Sequence, residues 1–122
     1  MKKILLVDDE TFFLQHLDRA LQSPSTEVKT VATGKEALQE VAANPYQLCF
    51  LDICLPDLDG IEVLKKIAEI SPKTKVVMMT AGEITSSMQK IIEKYAYMFL
   101  PKPFELFQMR MLANSIPEEA SS

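Results

Sequence analysis

Apolar residues fall in two alternating rhythms along this chain. Ile4 to Val7, Leu48 to Leu51 and Val76 to Met79 are short unbroken apolar runs bounded by polar or turn residues. Such runs predict strands buried on both faces, because a strand with one wet face alternates apolar with polar. Val28 to Ala32 and Tyr97 to Leu100 predict two more strands. Between them the period becomes helical. Phe13, Leu17, Ala20 and Leu21 fall at i, i+4, i+7 and i+8, and Ile84, Met88, Ile91, Ile92 and Tyr95 repeat that spacing. Ala37, Leu38, Val41 and Ala42 mark another helix, introduced by Thr33 with Glu36. Ile61, Leu64, Ile67 and Ala68 mark the next, introduced by Asp59 with Glu62. Both starts read as capping boxes or close variants. Phe104, Phe107 and Met111 predict a last helix, with Pro103 tolerated in its first turn.

Five β-α units with short connections imply an α/β fold, a doubly wound parallel sheet with helices on both faces. No internal repeat or linker precedes Ile116, so residues 1–116 read as one domain and residues 117–122 as a polar C-terminal tail.

Composition narrows the function classes. The 122 residues are 48% apolar, enough for one core and too much for a disordered acidic chain. Thirteen Lys and Arg against seventeen Asp and Glu leave a net charge of −4, which argues against direct nucleic-acid binding and against a polybasic membrane anchor. The longest apolar run, Tyr95 to Leu100, is far below the roughly 18 residues that span a bilayer. Lys2 and Lys3 before Ile4 to Val7 imitate a leader only until Asp8, Asp9 and Glu10 interrupt it, so the expected location is cytoplasmic. Cys49 reads as a small buried hydrophobe, and with Cys54 it forms neither a disulfide framework nor a zinc site. His16 reads as a surface or interface histidine, since no second His or Cys stands at metal spacing.

In open parallel sheets ligands bind beyond the carboxyl ends of the strands. Asp8 and Asp9 follow the first strand, Asp52 the third, Thr80 the fourth and Lys102 the fifth. The topology therefore gathers three carboxylates, a hydroxyl and an ammonium at one edge. Crowded carboxylates repel, and oxygen-only donors suit Mg²⁺ or Mn²⁺. A lysine and a hydroxyl beside such a cation suit a phosphoryl group. A carboxylate can itself accept that group as an acyl phosphate, and Asp52, at the middle of the constellation, is the candidate acceptor. Taken singly each of these residues is as well explained by helix capping or loop solvation. Their joint placement after successive strands is the signal.

With those positions in view, the chain resembles the receiver domain of two-component response regulators from Lys2 to about Asn114. The residues carrying the resemblance are Leu6-Val7-Asp8-Asp9-Glu10, the stretch from Leu51 through Asp52 and Cys54 to Pro56, Asp59 and Gly60, then Met79-Thr80-Ala81, and Phe99-Leu100-Pro101-Lys102-Pro103-Phe104. The resemblance implies a flavodoxin-like five-stranded sheet in the order 2-1-3-4-5. It implies that Asp52 accepts a phosphoryl group from a histidine kinase or a histidine phosphotransfer protein. Asp9, Asp52 and the backbone carbonyl of Cys54 would hold Mg²⁺, with Asp8 acting through a water. Lys102 and Thr80 would meet phosphoryl oxygens, helped by the backbone N–H of Ala81. Thr80 and Phe99 would form the switch, and Lys102-Pro103 matches a cis peptide.

The resemblance describes a signalling switch, not an enzyme acting on an outside substrate. Two other classes fit the sequence less well. A haloacid-dehalogenase-like phosphatase would place an Asp two residues after the nucleophile, where this chain has Cys54. A phosphorylation-independent module would lack one of the acidic, acceptor or lysine positions, and all are present here. Output is expected from surface contacts with a downstream protein, from a phosphorylation-dependent homodimer, or from an output domain outside this sequence. The family often carries glycine before the fifth strand, where this chain has Tyr95, Ala96 and Tyr97, and the loop from Gly82 to Ser87 is individual.

Overall fold

The computed structural model describes residues 1–102 and 105–117. Its strands are β1 (Lys2–Val7), β2 (Thr26–Val31), β3 (Leu48–Asp52), β4 (Lys75–Thr80) and β5 (Met98–Pro101). The helices are α1 (Thr11–Leu21), α2 (Gly34–Ala43), α3 (Gly60–Ile70), α4 (Ser86–Tyr95) and α5 (Leu106–Ser115). All strand pairs are parallel and the order is β2-β1-β3-β4-β5, as the sequence implied.

Side chains alternate across the sheet and supply a core on each face. Leu5, Val7, Cys49, Leu51 and Met78 pack with Ala37, Val41, Leu64, Ile67 and Ile92 of α2, α3 and α4. Ile4, Leu6, Phe50, Val77 and Met79 pack with Leu14, Leu17, Met109 and Ala113 of α1 and α5. Every residue of β3 is buried, which explains its unbroken apolar run.

Two helix faces differ from the predicted ones. In α1 the buried positions are Leu14, Leu17 and Leu21, while Phe13 is half-buried. In α5 the helix is present, but Phe107 and Met111 are 54% and 63% exposed. Met109 and Ala113 face the core instead. Residues 107 and 109 stand about 200° apart around a helix, so the two apolar stripes oppose each other and only one can meet the sheet. Phe104 and the Lys102-Pro103 peptide lie outside the described residues. Both capped starts are present in variant form. Thr33 accepts the Glu36 N–H at 3.1 Å, and Asp59 accepts the Ile61 N–H at 2.9 Å.

Register brings the site together. Val7 pairs with Leu51, so the residues that follow, Asp8 and Asp52, emerge side by side. Asp52 pairs with Met79 and Thr80 with Pro101, which puts Thr80 and Lys102 at the same edge.

Candidate functional site

Asp8 and Asp52 are buried, with relative exposures of 0% and 5%. Both are met by one ammonium. Lys102 Nζ donates to Asp8 Oδ2 at 2.7 Å and to Asp52 Oδ2 at 3.2 Å, and it lies 3.5 Å from Glu10 Oε1. The Phe13 ring covers the same ammonium, its centroid 4.4 Å from Nζ, a cation–π arrangement. Asp52 Oδ1 is turned the other way and accepts the Cys54 N–H at 3.0 Å. Asp8 Oδ1 accepts the Glu10 N–H at 2.9 Å.

This distribution sets the electrostatics. Burial, and then the neighbouring Asp8 charge, hold the Asp52 carboxyl above the ordinary carboxylate value, against the pull of the Cys54 N–H and Lys102. Burial also works against the Lys102 charge. Asp8 and then Asp52 outweigh it and hold that ammonium above the ordinary lysine value. A simple ion pair would lower its acid. Asp52 goes the other way because burial, with the Asp8 charge added to it, outweighs the Cys54 N–H and the Lys102 ammonium.

Asp8, Glu10 and Asp52 each direct a carboxylate oxygen into a space where the three lie within 4.8 Å of one another. Among the described residues this is the one such acidic group, and Asp9 stands outside it, exposed. Glu10 is therefore a site residue that the reading of the strand ends passed over. The signal lay in the local backbone. Glu10 is extended, with φ −84° and ψ 101°, before α1 begins. The chain bends at Asp9 and Asp8 Oδ1 accepts the Glu10 N–H across that bend, which keeps Glu10 beside Asp8. Three hard oxygen donors beside buried charge fit a divalent cation of the Mg²⁺ type.

Thr80 is buried at the end of β4, and its Oγ1 accepts the Gly82 N–H at 3.1 Å. Its position after Met78 and beside β5 puts it on the face that Phe99 shares, where Phe99 is half-buried against the α2–α4 core. Lys102 is fastened below the site as well, since its own N–H donates to the Thr80 carbonyl at 2.7 Å. Ala81 and Cys54 are exposed at the rim. Cys49, by contrast, lies in the core, where burial pushes its thiol up to about 12. His16 is on the exposed face of α1.

Glycine shapes the floor. A Cβ on Gly60 would stand 2.5 Å from the Asp52 carbonyl oxygen and from the Ile53 Cα and carbonyl oxygen. Gly60 also donates its N–H to the Ile53 carbonyl at 2.9 Å. The start of α3 thus rests directly on the backbone that carries Asp52, an approach open only to glycine.

The comparisons with known proteins agree with this architecture. The family model of the response regulator receiver domain matches residues 4–114. The response regulator protein PilR of Pseudomonas aeruginosa is 33% identical over 112 residues, covering 91% of this chain and 25% of that protein. The CpxR homolog of Haemophilus influenzae, a transcriptional regulatory protein, is 38% identical over 104 residues, covering 85% of this chain and 45% of that protein. The chain thus spans between a quarter and a half of these relatives. A CheY-like response regulator receiver domain protein from Methanospirillum hungatei superposes with a TM-score of 0.88 at 28% identity, over 94% of this chain and 92% of that one. Among the described residues no helix is long and apolar enough to cross a membrane. With the strand order, the acidic strand ends and a family match running nearly the length of the sheet, the chain belongs to the response regulator receiver domain family.

Proposed function

We propose that this receiver accepts a phosphoryl group on Asp52 from the phosphohistidine of a sensor histidine kinase or histidine phosphotransfer protein, in a Mg²⁺-dependent reaction. The observation that carries the reading is the buried Asp52 at the end of the central strand, held beside Asp8 under the Lys102 ammonium.

Asp52 Oδ1 is occupied by the Cys54 N–H, so Oδ2, facing Lys102, is the nucleophile. It attacks phosphorus; the P–N bond breaks and its electron pair returns to the imidazole. Lys102 then transfers a hydrogen bond from the carboxylates to a phosphoryl oxygen. The Thr80 hydroxyl accepts from Gly82 and keeps its own proton to donate, so it suits a second phosphoryl oxygen. The Ala81 N–H is assigned to the same group. Asp9 and Asp52 with the Cys54 carbonyl would hold Mg²⁺, or Mn²⁺ in its place, with Asp8 acting through a water, and Glu10 joins them on the geometry of the carboxylate group. Such a cation supplies charge neutralisation for the incoming phosphoryl oxygens and the crowded acids.

Drawing Thr80 toward a phosphoryl group opens space on the face it shares with Phe99. The ring would follow and repack the α4–β5–α5 surface, a local charge event biasing a two-state element. The chain is then a cytoplasmic switch, limited to its own phosphorylation and dephosphorylation and without direct nucleic-acid or membrane binding. Its receiver unit is residues 1–116. Output passes to a downstream protein, a phosphorylation-dependent homodimer or an attached output domain.

The test is intact mass after incubation with a small acyl phosphate donor and Mg²⁺. One phosphoryl group is expected on the native protein, none after chelation and none on Asp52→Asn. Unchanged native mass with several donors would overturn the reading.

A further inference from the structure

The loop between β3 and α3 is tied to a helix that has no direct part in the site. Asp57, at the tip of that loop, uses both carboxylate oxygens on the start of α2. Oδ1 accepts the Gly34 N–H at 2.8 Å and Oδ2 accepts the Lys35 N–H at 3.0 Å. Thr33 already accepts the Glu36 N–H, so the opening N–H groups of α2 are shared between a local cap and a distant one. The two backbone N–H bonds hold the Asp57 carboxyl below the ordinary carboxylate value, as a negative charge at a helix N-terminus should be held.

Packing reinforces the tie. A Cβ on Gly34 would lie 2.8 Å from Val63 Cγ2 and 3.1 Å from Leu58 Cβ, so α2 sits directly against Leu58, the residue after Asp57. At its other end the loop is closed on itself, with Cys54 and Asp59 bridged through their backbones. From there the Cys54 N–H reaches Asp52 Oδ1. An unbroken chain of short contacts therefore runs from the α2 terminus through Asp57 and the loop to the acceptor carboxylate. Thr33 serves only the Glu36 N–H, so the Gly34 and Lys35 N–H groups take their acceptor from the loop.

We propose that Asp57 is a positioning residue of the acceptor site: by clasping α2 it fixes the height of the β3–α3 loop, and with it the Cys54 N–H that meets Asp52 and the Cys54 carbonyl that would meet a bound cation. This rests on the reading of Asp52 as acceptor.

The test compares the full chain with Asp57→Ala and Asp57→Asn in three measurements. These are free Mn²⁺ by electron paramagnetic resonance, the Mg²⁺ concentration that half-saturates phosphorylation by a small acyl phosphate, and the urea midpoint. Asp57→Ala should weaken Mn²⁺ binding and raise the Mg²⁺ requirement about tenfold, the scale of lost support behind metal ligands. The rate at saturating Mg²⁺ should change less. Asp57→Asn keeps one acceptor oxygen and should recover part of both losses. Should Asp57→Ala fail to fold, Lys35→Pro removes one donor from the opposite side in a helical turn that tolerates proline, and about a threefold loss is expected. A lowered urea midpoint with unchanged Mn²⁺ affinity and Mg²⁺ requirement would make Asp57 a helix cap only and overturn the proposal. So would native protein that binds no Mn²⁺. Native protein that binds Mn²⁺ yet takes no phosphoryl group would instead overturn the acceptor reading, while the Mn²⁺ comparison still decides the clasp.

Discussion

At the β1–β3 end of the sheet the strands pair on both sides around a buried charge cluster, whereas β5 pairs on one side only and its edge is held mainly by one stripe of apolar contacts. β3 is wholly buried and α3 buries five residues. In β5 only Leu100 is buried, and α4 buries only Ile92. Tyr97, Met98, Phe107 and Met111 remain exposed around an apolar groove of about 530 Å³ between β5 and α5. The difference shows where rigidity and slack lie within one small domain. The end that holds several charges in fixed geometry is over-determined, and the edge that would repack under the proposed function is held by few contacts. Under the proposed function the Thr80–Phe99 pair joins the two.

The contrast can be broken most directly within α5. Met109→Ala should lower the unfolding free energy by about 2–4 kcal/mol through the cavity left between α5 and the sheet. Met111→Ala, two residues on, should change it by less than about 0.5 kcal/mol. Urea denaturation reads both, and equal losses would erase the distinction between the stripes. Next in size is a pair of glycines. Gly60→Ala drives a methyl into the backbone around Asp52 and Ile53 and should cost about 1–3 kcal/mol. For Gly82→Ala the nearest atom to the new methyl, Thr80 Oγ1, is 3.9 Å away, and a change within about 0.5 kcal/mol is expected by the same assay.

Much of this contrast was legible in the sequence. β1, β3 and β4 announced themselves because strands buried on both faces have no polar face to interrupt them. Asp8, Asp52, Thr80 and Lys102 followed from the rule that strand ends carry the site, and parallel register brought them together. The rest depended on orientation, which period alone does not carry. Phe107 and Met111 form as good an apolar stripe as Met109 and Ala113, and only the tertiary placement of α5 beside α1 chooses between them. Asp9 and Glu10 are equally acidic neighbours, distinguished only by the bend at Asp9 and the bond from the Glu10 N–H to Asp8. Asp57 was invisible for another reason: its partners, Gly34 and Lys35, are more than twenty residues away and offer only backbone N–H groups.

Two smaller predictions concern acids five residues apart whose titrations point in opposite directions. The Asp52 carboxyl is raised, so its contribution to stability is full below its unfolded value of 3.8 and falls as pH rises through the folded value. Asp52→Asn should therefore raise the urea midpoint at neutral pH in the absence of divalent cations. The Asp57 carboxyl is lowered, so its contribution is full above 3.8 and falls as pH drops through the folded value. The urea-midpoint advantage of native protein over Asp57→Asn should accordingly be present at neutral pH and shrink in acid. A pH-independent difference would remove the carboxylate from the clasp.

The chemical identity of the phosphorylated residue decides whether Asp52 is the acceptor. After treatment with an acyl phosphate donor and Mg²⁺, the protein can be split into two portions, one exposed to hydroxylamine and one reduced with borohydride and mapped by peptide mass. An acyl phosphate on Asp52 predicts that hydroxylamine removes the phosphoryl group and that the reduced residue maps to position 52. A phosphoryl group that resists hydroxylamine, or that maps to any other residue, would contradict it.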